Sequence, residues 1–305
     1  MSDFETTPAP RVAVLTPVYN GQRYLRSAIE SVLAQSMGAF EFLLIDDGSK
    51  DDSPEIIEEF AKRDPRIRWK SQPNRGVSAT RNELVSMAKA PLLAWLDADD
   101  IARPDWLEKM SAFMDAHREI VSAGCFVEMM DADGMPICRW TCVTEHDAMD
   151  AGHLDNGKKS TQFPSSFIRR DALVKVGGFD PALKGGEDLD ILLKLAEIGR
   201  LGCLPEVLYN YRQHLASMCQ SMKGQIWVDV RTVLINARAR RGLPLLEPTH
   251  TRNTTEPAEI HRRWAWWALG DKNVSTARKH ANRALLLDPF SKATWRTVAC
   301  AWRGH

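Results

Sequence analysis

Short apolar runs alternate with longer amphipathic segments over the first hundred residues. Each run is too short for a helix and is followed by turn-forming or acidic residues, which indicates buried strands. The runs lie at 11–16, 40–45, 67–69 and 92–96. Between them apolar residues recur at helical spacing, as at Leu25, Ile29 and Val32. Strands alternating with helices predict right-handed crossovers and a largely parallel sheet.

Helix boundary signals agree with this alternation. Ser53 is expected as an N-cap, with Pro54 at the first helical position. A third helix is expected over 77–89. Another is expected to begin at Glu187 and to end at Gly199, which is a typical C-terminal glycine.

The pattern loosens between about 120 and 170, where little periodicity remains. Residues 131–134 predict a turn, consistent with a hairpin. Beyond about 220 the chain becomes helical again, with one helix over 226–234 and two more before Asp288. Alanines at 277, 281 and 284 resemble one helix of a tetratricopeptide unit, a weak signal from a single match.

Composition narrows the class of protein. The chain has 305 residues, of which 44% are hydrophobic and 26% charged, so a sizeable core is expected and global disorder is not. Lys and Arg together number 40, as do Asp and Glu, which argues against a broad nucleic-acid-binding surface. No apolar run approaches the ~20 residues of a membrane span. The polar start does not resemble a signal peptide, and the six scattered cysteines match no zinc pattern. We expect a cytoplasmic, soluble protein with reduced thiols.

Acidic residues follow two of the predicted strands. In open α/β sheets ligands bind beyond the carboxyl ends of the strands. Like charges about 4 Å apart repel by roughly 1 kcal/mol in water, so a divalent cation explains the cluster economically. Oxygen ligands suit Mg²⁺ or Mn²⁺, which complete their shell with water and substrate phosphates. The alternative is that these acids cap the helices that follow. The cluster comprises Asp46, Asp47, Asp97, Asp99 and Asp100.

Other polar residues are candidates with equally plain structural alternatives. Neither a dinucleotide-binding glycine fingerprint nor a P-loop follows the first strand, so side chains and metal must hold any phosphate. Arg81 is a candidate for that role, or else a solvated helix charge. Asp188, beside Glu187, is either a helix cap or a general base held by a flexible glycine pair. Arg212 suits a phosphate, and His214 a metal or a hydrogen bond.

Eight short motifs in order resemble those of family 2 glycosyltransferases, over roughly residues 11 to 219. They are TPVYN (16–20), DDGS (46–49), NRG (74–76), ATRN (79–82), DADD (97–100), GGFD (177–180), EDLD (187–190) and YRQH (211–214). The resemblance implies the GT-A fold, an α/β architecture with a Rossmann-like, mostly parallel sheet flanked by helices. We therefore expect a disordered tail over 1–10, a catalytic domain over 11–222 and a helical extension over 223–305.

The resemblance also implies a role for each candidate residue. Pro17, Tyr19 and Asp47 would lie at the nucleotide base and ribose, and Arg81 and Asp97 near the nucleotide. Asp99 resembles the metal ligand of the DxD motif, with Asp97 and Asp100 as alternatives. Asp188 resembles the general base, with Glu187 beside it. Arg212 and His214 would contact the diphosphate or close over it.

The activity that the resemblance implies is an inverting, metal-assisted transfer. The donor would be a nucleotide-sugar, with UDP the first expectation, and the group transferred a hexosyl or N-acetylhexosaminyl residue. The acceptor would be a hydroxyl of a glycan or lipid-linked sugar in polysaccharide biosynthesis, approaching beside residues 125–165. The C-terminal helices are expected either to pack on the catalytic domain or to hold the enzyme at the inner face of a membrane or at a partner. Arg262 and Arg263, with the neighbouring tryptophans, would suit such an interfacial surface. Two alternatives stay open: a degenerate nucleotide- or glycan-binding protein and a haloacid-dehalogenase-type phosphatase.

Overall fold

The computed structural model describes residues 9–155, 163–217, 223–244 and 256–304. Its strands are β1 (Val12–Val18), β2 (Phe40–Asp46), β3 (Ile67–Ser71), β4 (Leu92–Trp95), β5 (Ile101–Ala102), β6 (Ile120–Met130), β7 (Pro136–Trp140), β8 (Phe167–Arg169) and β9 (Arg200–Arg212). Its helices are α1 (Gln22–Leu33), α2 (Ser53–Ala61), α3 (Val77–Met87), α4 (Trp106–Ala116), α5 (His146–Leu154), α6 (Arg170–Lys175), α7 (Glu187–Ala196), α8 (Lys223–Arg240), α9 (Pro257–Gly270), α10 (Val274–Leu287) and α11 (Lys292–Arg303).

The described strands form one mixed sheet in the order β3-β2-β1-β4-β8-β6-β9-β5, with β7 paired to β6. The first four strands are parallel, as the alternating pattern predicts. β1, β2 and β4 are almost wholly buried between two apolar layers, which is why their sequences are nearly continuous apolar runs. The fold is therefore the predicted α/β class with flanking helices.

The second half of the sheet contains regular strands, several of which lie where the sequence shows little periodicity. β8 pairs antiparallel with both β4 and β6, and β6 pairs parallel with β9. The register of β6 against β9 shifts at several points, so neither strand keeps a clean alternation of exposed and buried residues. The hairpin turn expected at 131–134 is present between β6 and β7.

Three helix boundaries differ from their sequence signals. α7 ends at Ala196 with Glu197 at its C-cap, so the prediction that the helix ends at Gly199 is wrong by two positions. The residue at the N-cap of α2 is Asp52, so the prediction of Ser53 as N-cap is wrong by one position. The Ser53 hydroxyl instead donates to Asp51 and accepts the Gly21 amide, which joins the loop after β1 to the loop after β2. α3 ends at Met87, two residues before the predicted end.

The C-terminal helices divide into two groups by what they pack against. α8 contributes Val233, Leu234 and Ala237 to an apolar cluster with Leu189 and Leu193 of α7. α9 to α11 form a bundle that packs on β7 and the end of β6, around Ile260 and Trp264. α8 thus packs with α7, although the sequence grouped it with the C-terminal extension. The predicted disordered tail lies almost wholly outside the described residues.

Cysteine chemistry differs from the expectation of reduced thiols. Cys142, after β7, and Cys203, on β9, form a disulfide. Cys125, Cys138 and Cys300 are free thiols.

Among the helices in the described ranges, none combines the length and apolar character needed to cross a membrane.

Candidate active site

The site begins where β1 and β2 end side by side at the carboxyl edge of the sheet. Val18 is in register with Asp46, and the Asp47 amide donates to the Val18 carbonyl. The ring of Tyr19 is 54% exposed just beyond β1. Pro17 is half-buried in the strand before it. This edge therefore presents an exposed aromatic ring beside a buried acidic loop.

The two acids after β2 are satisfied by hydrogen bonds from the protein itself. Asp46 accepts from the Ser49 amide and the Ser71 hydroxyl. Asp47 accepts from the side chain of Gln72 at 2.9 Å and from the amides of Arg75 and Gly76 at 3.0 and 2.9 Å. Three donors leave room for about one more hydrogen bond on the Asp47 carboxylate. Hydrogen bonds thus stabilise the carboxylates of both residues without a cation.

Arg81 lies beneath the site rather than in solvent. It is 5% exposed on α3, so the alternative of a solvated helix charge is wrong. Its guanidinium donates to Glu187 at 2.7 Å and lies 3.6 Å from the carboxylate of Asp97. Its carbon also lies 4.9–5.6 Å from the centres of three aromatic rings, those of Trp95, Phe163 and Phe179. One buried cation therefore joins the end of β4 to the start of α7.

Asp97 stands in an environment that disfavours its charge. Burial raises the pKa of Asp97 to about 6, and the charges of Asp99 and Asp188 add to that rise while Arg81 opposes it. Asp97 follows β4, and Asp188 lies at the start of α7. These two elements therefore bring together carboxylates that are 91 positions apart in the chain.

The adjacent acids at the start of α7 have different surroundings. Glu187 is buried against Arg81, and burial raises the pKa of its carboxyl. Asp188 is half-buried, and one of its oxygens accepts the Leu189 amide at 2.7 Å. Asp188 is thus the more accessible member of the pair, on the positive end of a helix dipole.

The glycines before α7 are closely packed, not a loose hinge. Gly186 has φ +74°, and a Cβ built there would lie 2.9 Å from the Val230 side chain of α8. A Cβ on Gly185 would lie 2.5 Å from Ile226. α8 therefore presses directly on the segment that carries Glu187 and Asp188.

The remaining acids of the DxD segment point in opposite directions. Asp100 is fully buried and accepts from the Tyr209 hydroxyl at 2.9 Å and the Arg212 amide at 2.7 Å. Burial raises the pKa of Asp100 well above its usual range. Asp99 instead faces His214, whose Nε2 lies 2.8 Å from Asp99 Oδ2. Arg212 donates to the Asp99 carbonyl at 2.7 Å.

Asp97 and Asp99 suit a divalent cation whose remaining coordination positions are filled by a bound ligand. Their side chains are 31% and 32% exposed, and the like charges around Asp97 raise its pKa. Over the described ranges, no three His, Cys, Asp or Glu side chains are grouped so as to bind a metal on their own. Mg²⁺-type ions use one or two protein carboxylates and take their other ligands from water and phosphates. Asp100, already bonded on both oxygens, is not available for this role without rearrangement.

Several site residues gave no signal in the sequence. Tyr24 belongs to the amphipathic face of α1, yet its ring lies 4.5 Å from the Arg212 guanidinium and 5.2 Å from the His214 ring. Tyr209, near the end of β9, links Asp100 to the Asp97 amide. Gln72 follows a weak strand. All three become visible only once distant elements are brought together.

Comparisons with known proteins bear on the family and the fold of this chain. The sequence model described as "Glycosyl transferase family 2" matches residues 13–177. The putative glycosyltransferase EpsH of Bacillus subtilis (strain 168) is 41% identical over 101 residues, which is 33% of this chain and 29% of that protein. The chondroitin synthase of Escherichia coli is 27% identical over 211 residues, 67% of this chain and 29% of that protein. The chain thus spans about three tenths of the length of these relatives.

Solved structures share the fold at low sequence identity. Residues 1–349 of S. aureus TarS in complex with UDP-GlcNAc give a TM-score of 0.62 at 16% identity, covering 96% of this chain and 88% of that one. The mannosyltransferase PcManGT from Pyrobaculum calidifontis, in complex with GDP-Man and Mn²⁺, gives 0.57 at 18% identity, covering 98% and 86%. The likeness extends through the C-terminal helices.

Proposed function

This chain belongs to glycosyl transferase family 2, and from that premise we propose that it transfers a sugar, with inversion, from a nucleotide-sugar to an acceptor hydroxyl. The observation that carries the proposal is the convergence of Asp97 and Asp188 around buried Arg81, with Asp188 accessible beside it. This arrangement brings together at one site the acidic segment at 97–100, which would face the phosphates, and a candidate general base. Such a pairing suits transfer better than hydrolysis of a simple phosphate.

The donor we infer is a UDP-sugar carrying a hexosyl or N-acetylhexosaminyl group. TarS was solved with UDP-GlcNAc, which supports that choice, and PcManGT with GDP-Man keeps the base open to test. Tyr19 and Pro17 would stack against the base, and Asp47 has one acceptor position left for it. The acceptor we infer is a glycan or lipid-linked sugar, in keeping with relatives named chondroitin synthase and hyaluronan synthase.

Asp99 and Asp97 are the residues that would hold Mn²⁺ or Mg²⁺. When bound, such an ion would neutralise the charge of the leaving diphosphate. Arg212 and His214 lie on the same side of the site, where a guanidinium and an imidazole stabilise phosphate oxygens by charge-assisted hydrogen bonds. His214 would contact the diphosphate from its position beside Asp99.

Asp188 is the group we assign as general base. Its oxygen that does not accept the Leu189 amide is the one left to take the proton of an acceptor hydroxyl. The positive end of α7 favours the negative charge that this role requires. Arg81 and Glu187 would act through Asp188 by fixing the start of the helix.

The test is an Asp188→Asn variant assayed with nucleotide-sugar donors. We expect transfer to fall by roughly 10²–10⁴-fold, the usual contribution of a general base, while UDP binding with Mn²⁺ by calorimetry stays within about twofold. Asp171→Asn is the matched control, because Asp171 accepts the next amide in the first turn of α6 in the same way. Full activity of Asp188→Asn would refute the assignment. Inactive wild-type protein that still binds nucleotide would favour the degenerate binding protein.

The C-terminal bundle is the part we propose to contact an anionic membrane surface. Residues 256–305 contain nine Lys and Arg against four Asp and Glu, whereas the whole chain is balanced. The end of α10 and the start of α11 expose Leu286 (78%), Phe290 (96%) and Trp295 (55%). Exposed Arg283, Lys292 and Arg296 flank these apolar side chains, a combination that suits an interface of anionic lipid. Arg262, by contrast, is paired with Asp288.

We propose residues 11–240 as the catalytic unit, with the extension beginning after α8. The packing of α8 on α7 supports this later boundary than the 222/223 division expected from sequence. The bundle of α9 to α11 would then be a separate element that docks on the β6–β7 hairpin.

A further inference from the structure

The turn at residues 131–134, between β6 and β7, lies between the C-terminal bundle and the candidate diphosphate side of the site. Asp131 is 1% exposed at its first position. One oxygen of its carboxylate accepts the amides of Asp133 and Met135, each at 2.9 Å. That side chain therefore holds the turn in shape from within.

The second oxygen of Asp131 is held by the bundle. Lys279 Nζ of α10 lies 2.5 Å from it and also donates to Asp133 at 2.7 Å. His280 Nε2 lies 3.3 Å away, an electrostatic contact from a ring that is itself buried. The other nitrogen of that ring, Nδ1, is 3.0 Å from Nδ1 of His261 on α9. A buried carboxylate of the catalytic domain thus takes its compensating charge from the extension.

The opposite side of the same turn contacts the site. Arg212 donates to the backbone carbonyls of Asp131 and Ala132 at 3.3 and 3.4 Å. The same guanidinium donates to the Asp99 carbonyl at 2.7 Å, and the Gln213 amide donates to the Met130 carbonyl at 2.8 Å. The Arg212 guanidinium is therefore held by backbone carbonyls of two segments, the turn at 131–134 and the loop that contains Asp99.

These contacts form one continuous connection from α10 to Asp99. Removing the cation from a buried pair leaves an uncompensated carboxylate, which the protein relieves by moving the turn towards solvent. Movement of the turn withdraws the two carbonyls that fix Arg212. A contact that only attached the bundle to the sheet would affect stability without reaching Arg212.

We propose that Lys279, supported by His280, is a positioning residue for the diphosphate side of the donor site. It acts through Asp131 and the turn to fix Arg212 against Asp99. The bundle, which lies beyond the residues matched by the family model, thereby contributes to donor binding without touching the donor. This inference rests on the proposed function.

The experiment compares Lys279→Met with Lys279→Arg in the full chain, and uses Lys272→Met, an exposed lysine between α9 and α10 of the same bundle, as control. UDP binding in the presence of Mn²⁺ is measured by calorimetry, and hydrogen exchange is followed at the amides of Arg212, Asp133 and Met135. We expect Lys279→Met to weaken UDP binding by about two- to thirtyfold, the range typical of such indirect coupling, and to speed exchange at all three amides. Lys279→Arg should restore both, and Lys272→Met should change neither.

A lower melting temperature with unchanged UDP affinity and unchanged exchange at Arg212 would overturn the inference, because that is the result of attachment alone. If circular dichroism shows that Lys279→Met does not fold, Lys279→Gln takes its place under the same criteria. Wild-type protein that binds no UDP, GDP, CDP or dTDP would defeat the proposed function. In that case exchange at Arg212 still decides the connection: faster exchange in the variant supports it, and unchanged exchange overturns it.

Discussion

At the scale of single residues, the acids that follow strands have two different environments. Asp47 accepts three hydrogen bonds from the protein, whereas Asp97 has a guanidinium at 3.6 Å and other carboxylates nearby. The sequence shows both as acids at strand ends and cannot separate them. The difference arises from what the neighbouring loops supply, amide donors in one case and like charges in the other.

Asp47→Asn should damage the nucleotide side of the site through the loop at 72–76. An asparagine amide group would face either the Gly76 amide or the Gln72 and Arg75 donors, leaving at least one buried donor unsatisfied. We expect a loss of about 1–3 kcal/mol in the free energy of unfolding and weaker UDP binding. Denaturant unfolding and calorimetry measure the two effects.

The control for this substitution is Asp147→Asn, which changes an exposed acid of α5 in the same way. If Asp47→Asn had the unfolding free energy and the UDP affinity of the wild type, the three hydrogen bonds would not be what holds the loop.

How far single residues could be predicted follows from the same contrast. The candidates at 81, 97, 99, 188, 212 and 214 do come together, because short motifs at strand ends and helix starts share one edge of the sheet. The partners Tyr24, Tyr209 and Asp131 could not be foreseen, since their contacts join residues more than 80 positions apart.

At the scale of elements, the junction of α7 and α8 shows why the glycine pair is needed. Gly186 has a positive φ, and both glycines lie against side chains of α8. A side chain at either position would push the start of α7 away from α8. Since Arg81 is bonded to Glu187 at that start, the displacement would reach the site.

Gly186→Ala is therefore expected to reduce both stability and transfer. The left-handed conformation costs an alanine about 1–2 kcal/mol, and the contact with Val230 adds to that cost. Thermal unfolding and donor turnover are the two measurements.

Gly224→Ala, in α8, is the matched control, because a Cβ there meets nothing within 4 Å. If Gly186→Ala retained wild-type melting and turnover, the close packing of α8 on this segment would not matter for the site.

Predictability at this scale depended on periodicity. β1 to β4 and α1 to α3 were foreseen because each has a regular pattern of apolar residues. β6 and β8 were missed because small residues and register shifts interrupt alternation. α11 was also missed, although its buried residues Thr294, Thr297 and Ala301 recur at helical spacing.

At the scale of the whole molecule, charge is unevenly distributed along the chain although the net charge is zero. The cationic excess lies in residues 256–305, and the remaining residues carry the corresponding acidic excess. The exposed apolar side chains at the α10–α11 connection lie within the cationic part. This cationic part is the one we propose to contact anionic lipid.

Co-sedimentation with vesicles tests that end directly. We expect binding to vesicles of anionic phospholipid but not to vesicles of neutral phosphatidylcholine, and weaker binding at high salt because screening reduces surface electrostatics. Phe290→Ser with Trp295→Ser should lower recovery with the anionic vesicles.

Val174→Ser is the control, since Val174 is an exposed apolar residue on α6 outside the bundle. Equal recovery of the double variant and the wild type would exclude the α10–α11 connection as the contact.

The change of strand direction between β4 and β8 also has a practical consequence for protein engineering. On one side of that seam lie the parallel strands that carry Tyr19 and Asp47, and on the other lie β6 to β9 with Cys142 and Cys203 tied together. Chimeras that exchange segments between related transferases should cross over near residue 92, because Asp100 and its partners Tyr209 and Arg212 then come from the same parent. Recombination within β9 would sever Tyr209 and Arg212 from the acids they support, so such hybrids should fail far more often.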